Sequence, residues 1–254
     1  MSDLTALLWF AENPTHLALA IAAVVLAYTV FTLVGFGSAL MASGPLALLM
    51  PVARVIPLLA LMDFAGSAMR GWRARHDVAW GEFRQLLPGM LSGQLLGVLV
   101  LARLPTALMA VALGLFVMVQ GIRGLVGQGD AVWRPACHPM AYGLFGGILG
   151  GLFGSGGFVY AAYLERRLES RAGFRATQGL LIALSTAWRI VLCISAGLVD
   201  IPLLLTTMVF VPGMVLGGFL GRHIDLRLTR EQLFRLLNAL LVVSGLGLLL
   251  RFAG

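Results

Sequence analysis

No lysine occurs among the 254 residues, and all 18 basic side chains are arginine. Only 11% of the residues are charged, where a soluble globular domain carries about 25%. So few charges cannot cover a protein surface in water. The two cysteines, Cys137 and Cys193, are too few and too far apart for a disulfide framework or a cysteine-based metal centre, and no cofactor or metal is implied. The four histidines are badly placed for catalysis. His16, His138 and His223 fall at the ends of apolar stretches and His76 lies in a loop. No base therefore stands beside a serine within an apolar run. The string Phe153-Gly154-Ser155-Gly156 also lacks the first glycine of an intramembrane Gly-x-Ser-Gly motif. An enzyme is not expected, and no catalytic residues are assigned. No arginine precedes Arg54, so the positive leading region of a cleavable signal peptide is missing and the first apolar stretch is expected to be retained.

What the chain does have is apolar surface and glycine. Hydrophobic residues make up 59%, the mean hydropathy is +0.94, and there are 32 glycines. Such a chain must use lipid as part of its solvent, and glycine lets helices approach closely inside a bilayer. Apolar stretches run about 16–34, 37–51, 55–69, 86–102, 106–122, 139–152, 155–164, 176–197, 203–221 and 236–250. A crossing helix needs about 20 residues. The shorter pieces 37–51, 139–152 and 155–164 therefore predict half-helices covered by protein or lining a cavity. The fold class expected is all-α and polytopic.

The arginines set the orientation. Fourteen of the 18 lie in the regions 70–84, 123–134, 166–175 and 222–235. With the N-terminus outside, and with 37–51 and 155–164 counted as return segments, all four regions face the cytoplasm and both termini lie outside. In this placement the positive charge reads as a topology determinant and not as a nucleic-acid surface. Trp72, Trp80 and Trp133 near segment ends fit interfacial anchoring.

The chain repeats itself. Pro88-Gly89-Met90-Leu91-Ser92-Gly93-Gln94-Leu95-Leu96-Gly97 returns as Pro212-Gly213-Met214-Val215-Leu216-Gly217-Gly218-Phe219-Leu220-Gly221, with six of ten residues identical. Phe36-Gly37-Ser38 returns as Phe153-Gly154-Ser155, and Asp77 as Asp200. The offsets are 124, 117 and 123, all in chain order. The basic loop 70–84 corresponds to the arginine-free turn 198–202, and the short turn 103–105 to the basic region 222–235. Equivalent loops therefore fall on opposite sides, as in inverted repeats that give alternating access. The expected repeats are 1–126 and 127–254, forming one membrane domain with a broken helix in each half.

The breaks are the candidate binding site. Gly35-Phe36-Gly37-Ser38 and Gly151-Leu152-Phe153-Gly154-Ser155-Gly156-Gly157 interrupt apolar runs. Glycine permits the reversal of the chain, and the helix opened after it presents free amides and the positive end of its dipole to an anion. The serines can cap these half-helices or donate to a ligand. The expected substrate-binding residues are Gly37, Ser38, Gly154, Ser155, Gly156, Gly157, Arg189 and Gln178. Arg189 offers the paired donors of a guanidinium to a small anion. Asp63 and Gln94, also at membrane depth, are assigned a coupling or orienting role, and an Asp63–Arg189 ion pair that only fixes packing stays open. Arg189 supplies positive charge on one side only on this reading, so the site is expected to be asymmetric.

At these residues the chain resembles the sulfite exporter TauE/SafE family of small bacterial transporters. The resemblance covers nearly the whole chain. Its specific parts are the two Gly-Ser breaks, Arg175-Ala176-Thr177-Gln178 and Gly197-Leu198-Val199-Asp200; the first break departs from the family pattern in having Ala39 and Leu40 after Ser38. The resemblance implies a secondary transporter in the bacterial inner membrane that moves sulfite, sulfoacetate or other organosulfur anions, mostly outward. A carboxylate substrate, or an anion channel on the same scaffold, is the alternative. The partners implied are a small anion and the lipid bilayer, with a homodimer as the assembly to consider and no nucleic acid.

Overall fold

The computed structural model describes residues 14–34, 38–73, 75–126, 138–223 and 230–252. These contain ten α-helices: α1 (Pro14–Val34), α2 (Ser38–Ala47), α3 (Val52–Arg73), α4 (Trp80–Arg103), α5 (Thr106–Leu125), α6 (Pro139–Phe153), α7 (Gly157–Arg167), α8 (Arg171–Ser195), α9 (Ile201–His223) and α10 (Arg230–Phe252). A single 3₁₀ turn, Arg75–Asp77, precedes α4. No strand occurs among the described residues. Each of the ten apolar stretches becomes one helix, and most helices run past the apolar stretch into charged flanks. Backbone hydrogen bonding continues through Arg103 of α4 and back to Arg171 of α8, because a helix does not need hydrocarbon to persist at the interface. Pro57, Pro88 and Pro212 all lie inside helices, which is tolerated in membrane helices where neighbours satisfy the freed backbone.

Among the described residues, five helices are long and apolar enough to cross a bilayer: Pro14–Thr32, Trp80–Arg103, Thr106–Leu125, Arg171–Ser195 and Ile201–His223. The exterior is apolar. Leu95, Leu96, Leu99 and Val100 on α4 and Leu204, Leu205 and Met208 on α9 are exposed. That much outward apolar surface is stable only against lipid. The protein is a polytopic membrane protein.

The most extensive helix pairings are α4 with α6, α5 with α10, α1 with α9, and α3 with α8. Exchanging α1–α5 for α6–α10 converts α4–α6 into α9–α1 and returns α5–α10 and α3–α8 to themselves. Glycine seams make these pairings close. A Cβ at Gly93 of α4 would lie 2.2 Å from the Leu144 carbonyl oxygen of α6, and one at Gly147 would lie 2.4 Å from the Met90 carbonyl oxygen. In the α1–α9 pair, a Cβ at Gly217 would lie 2.4 Å from the Val25 carbonyl oxygen. Gly93 and Gly217 are the same position of the ten-residue repeat. The repeated glycines thus serve backbone-to-backbone contact, where packing and weak Cα–H···O contacts hold helices together.

At one end of the bundle Arg54 and Asp200 form a two-point ion pair, with Nη2–Oδ2 at 2.9 Å and Nη1–Oδ1 at 3.3 Å. Asp200 also accepts from the Leu203 amide at 2.8 Å and so caps α9. Asp77, its counterpart in the repeat, precedes a neutral tie: the Ala79 amide donates to the Thr177 hydroxyl at 2.9 Å.

The seams predict a steep size dependence. Gly93→Ala should cost on the order of 3 kcal/mol, because the methyl group meets backbone that cannot rotate away. Gly81→Ala, with nothing within 4 Å of its Cβ, should change stability by less than about 1 kcal/mol. Melting temperatures of the two variants in detergent check this.

Candidate functional site

Inside the bundle, α8 is polarised opposite to a helix of a soluble protein. Gln178, Ser185, Thr186 and Arg189 are buried, while Val191 and Ile194 are exposed. The polar stripe faces protein because its polar groups find partners there and not in lipid.

The second break closes as an αL motif. Gly154 ends α6 with φ 71° and ψ 8°. Its amide donates to the Gly150 carbonyl at 3.0 Å, and the Ser155 amide donates to the Leu149 carbonyl at 3.3 Å. The Ser155 hydroxyl donates to the Phe153 carbonyl at 3.1 Å, and α7 starts from Gly156 without a side-chain cap. Of the two roles expected for Ser155, capping α7 or donating to a ligand, the first is corrected: its hydroxyl is used one step earlier, on the carbonyl end of α6. The opening amides of α7 have no intrahelical partner, as at any helix start. Phe116 of α5 stacks on Phe153 with ring centroids 4.8 Å apart and shields the break on one side.

Arg189, only 3% exposed, reaches this break from α8. Its Nη1 donates to the Gly150 carbonyl at 2.9 Å, while its buried Nε has no hydrogen-bond partner. The fit is close: a Cβ at Gly154 would lie 2.8 Å from Arg189 Nη1 and 2.7 Å from the Ala39 Cβ. The first break is represented by Ser38, at the start of α2, whose hydroxyl donates to Asp63 Oδ1 at 2.7 Å. Tyr28 of α1 donates to the same oxygen at 2.7 Å.

A cavity of about 50 Å³ lies where these pieces meet, lined in part by Ser38, Asp63, Gly154–Gly157 and Arg189. One water needs about 10–15 Å³ of such space, so the cavity suits a group of a few non-hydrogen atoms. Of the expected substrate residues it brings together Ser38, Gly154, Ser155, Gly156, Gly157 and Arg189, with Asp63 across from them. Gly37 lies outside the described residues. Gln178 stands behind the wall and donates through Nε2 to the Gly157 carbonyl at 3.3 Å. Gln94 also stands behind it, donating to the backbone and hydroxyl oxygens of Ser185.

Several lining residues escaped the sequence reading: Phe31, Tyr160, Ile182, Ser185 and Thr186. A signal existed for part of this set. Ser185 and Thr186 precede Arg189 by one turn on the same face of α8. The string Thr186-Ala187-Trp188-Arg189 also echoes Ser67-Ala68-Met69-Arg70 at an offset of 119. That register sets Arg70 at the position in α3 that Arg189 holds in α8, so Arg189 does have a counterpart in sequence. The same register pairs Asp63 with Ile182, and both line the cavity. Within this site it is the acid that has no counterpart.

The profile of the family described as "Sulfite exporter TauE/SafE" matches residues 19–248. Among curated proteins, the chain is 31% identical over 198 residues to the "Probable inner membrane transporter protein TsaS" of Comamonas testosteroni, covering 75% of this chain and 81% of that protein. No solved structure matches.

Gly154→Val tests the break. A branched side chain at φ 71°, pressed on Arg189 and Ala39, should abolish transport. Flux in reconstituted vesicles measures it, and a rate near that of the unaltered protein would count against the site.

Proposed function

The chain belongs to the sulfite exporter TauE/SafE family of membrane transporters, and on that premise we propose that it carries small anions such as sulfite or organosulfonates across a bacterial inner membrane by alternating access, with export as the direction. The observation that carries this reading is Arg189: a buried guanidinium, spent at one nitrogen on the end of α6, with its buried Nε unpartnered, on a residue that lines a cavity of a few atoms' size. A cation in such surroundings is costly unless a negative group completes it. The opening amides of α7, at Gly156 and Gly157, add donors without adding charge. Together they suit the three oxygens of a sulfite or sulfonate head.

Asp63 takes the orienting or coupling role in this proposal. Through Ser38 it holds the start of α2, and through Tyr28 it ties α1 to α3. The halves 1–126 and 127–254 are read as inverted repeats. Support comes from the self-consistent pairing of α1–α5 with α6–α10 and from the matched glycine seams. Gln178 supports the floor of the site through Gly157 and does not meet the anion itself.

A thermal-shift screen against sulfite, sulfoacetate, taurine and simple carboxylates tests the ligand class. A true ligand raises the melting temperature with occupancy, by about 2.7 kcal/mol of stabilisation at 100 times its Kd. Arg189→Gln should abolish both the shift and transport while the protein still folds in detergent. Normal flux by that variant would sink the assignment.

A further inference from the structure

The antiparallel pair α3–α8 frames the site from both sides. Asp63 of α3 and Ile182, Thr186 and Arg189 of α8 line the cavity. The offset of 119 that matches Arg70 with Arg189 also matches the first residues of the two helices, Val52 and Arg171. In that register Arg54 corresponds to Gly173. Arg54 stands nine residues before Asp63, and Gly173 nine before Ile182. At 1.5 Å per residue the cavity lies about 14 Å along the axis from either position, between the two ends of the pair.

The two ends match in backbone and differ in charge. At one end Arg54, in the first turn of α3, meets Asp200 at two points. The side chains are 28% and 33% exposed, so water screens the pair only in part. At the other end the equivalent neighbours are also together: a Cβ at Gly173 would lie 3.5 Å from the carbonyl oxygen of Asp77, the counterpart of Asp200. Glycine brings no charge to that contact. Arg171 and Arg175 stand two residues to either side and are exposed, and residues two apart do not share a helix face. Asp77 is exposed and makes no ion pair among the described residues. This end is held by the neutral bond from the Ala79 amide to the Thr177 hydroxyl. Tyr163 of α7 also donates to Glu82 of α4 nearby. That bond joins α4 to the arm that follows α6, within the group fastened by the α4–α6 seam, and does not hold α8 to α3.

We propose that Arg54 and Asp200 form a one-sided latch: they hold their end of the α3–α8 pair shut, the Asp77–Gly173 end has no equivalent, and the site opens by preference at the Asp77 end. The inference rests on the alternating-access reading above and adds to it which end is the resting mouth. In an inverted repeat the two end states exchange the roles of equivalent contacts. Opening at Arg54 breaks an ion pair and gains none at the far end, whereas opening at Asp77 breaks a neutral hydrogen bond. On the orientation that the arginines predict, Asp77 lies in the cytoplasmic region 70–84. A site that rests open on that side loads from the cytoplasm, as export requires.

Distances between paired spin labels on the full chain in lipid nanodiscs test this, in a Cys137→Ser, Cys193→Ala background. Pro51→Cys with Ala196→Cys reports on the Arg54 end, and His76→Cys with Ala172→Cys on the Asp77 end; all four positions are exposed. The Asp77 end should populate a second, longer distance more than the Arg54 end does, and the reverse order overturns the latch. Asp200→Asn removes the charge and keeps a side chain that can cap α9. It and Arg54→Gln should each raise the open fraction at the Arg54 end about 2- to 5-fold, and the double variant no further. Salt at about 0.5 M should act on the unlatched variants less than on the latched chain. Gly173→Arg, where the nearest atoms lie at ordinary contact distance, gives Asp77 the missing partner and should reduce the longer distance at that end. If that variant does not fold, Asp77→Asn decides the same point: it should leave its end unchanged, since the acid has no ion pair to lose, and a widening there overturns the one-sidedness. An Arg54 end that no latch variant moves, while the Asp77 end samples two distances, overturns the latch alone. If neither end moves in any variant, with or without sulfite, the alternating-access reading falls and the latch with it.

Discussion

A helix that stops inside a bilayer leaves carbonyls and amides that hydrocarbon cannot satisfy. The interior of this protein is arranged around that constraint. At the end of α6 the orphan carbonyls are met by the turn amides of Gly154 and Ser155, by the Ser155 hydroxyl, and by Arg189, which donates to Gly150. Gly154 cannot be another residue here, both because of its left-handed backbone and because the guanidinium fills the space of a side chain. In the proposed reading, the amides that open α7 are the part of the problem left for a ligand. Structure and binding thus draw on one set of atoms: the group that seals the carbonyl end of one half-helix lies beside the amide end of the next.

The same constraint explains why the polar residues lie inside. Gln94, Gln178 and Arg189 are all buried and all donate to backbone carbonyls of the breaks or of α8, and the buried Ser185 hydroxyl accepts from Gln94. In water these side chains would compete with helix formation for backbone partners. In hydrocarbon they have no other partners, so they concentrate where the backbone is irregular. Function needs polarity at that place, and covering the breaks supplies it.

The sequence made the scaffold legible because lipid imposes one strong rule. Ten apolar stretches became ten helices, and the misplaced ends lie at charged flanks such as Arg73, Arg103 and Arg171, where hydropathy falls but backbone bonding continues. The second break was legible from a repeated Phe-Gly-Ser, and Arg189 and Asp63 from the cost of a charge at that depth. Tyr160 was not legible, since a tyrosine on an apolar half-helix looks like any core aromatic until α6 and α8 are folded around it. Gln94 and Gln178 were legible as buried polar residues, but only their partners, Ser185 and Gly157, show that they stand one layer behind the cavity. Ser155 looked like a cap and proved to be spent on Phe153, a choice made by a single turn of backbone geometry.

The glycine seams carry a consequence for how such a molecule changes shape. The seam at Gly93 and Gly147 fastens α4 of the first half to α6 of the second, and the seam at Gly217 fastens α9 of the second half to α1 of the first. Contacts between backbones resist sliding, since neither partner has a rotamer to adjust. The two halves are therefore clasped, each holding a helix of the other. The α5–α10 pair is fastened in the same way, with a Cβ at Gly121 falling 2.7 Å from the Asn238 carbonyl oxygen, so the closely fastened units are cross-half pairs and not the two lengths of chain that the repeat defines. The α4–α6 and α1–α9 pairs each carry the helix that leads into a Gly-Ser break, so on the alternating-access proposal a tilt of either pair would turn that break and alter one wall of the cavity.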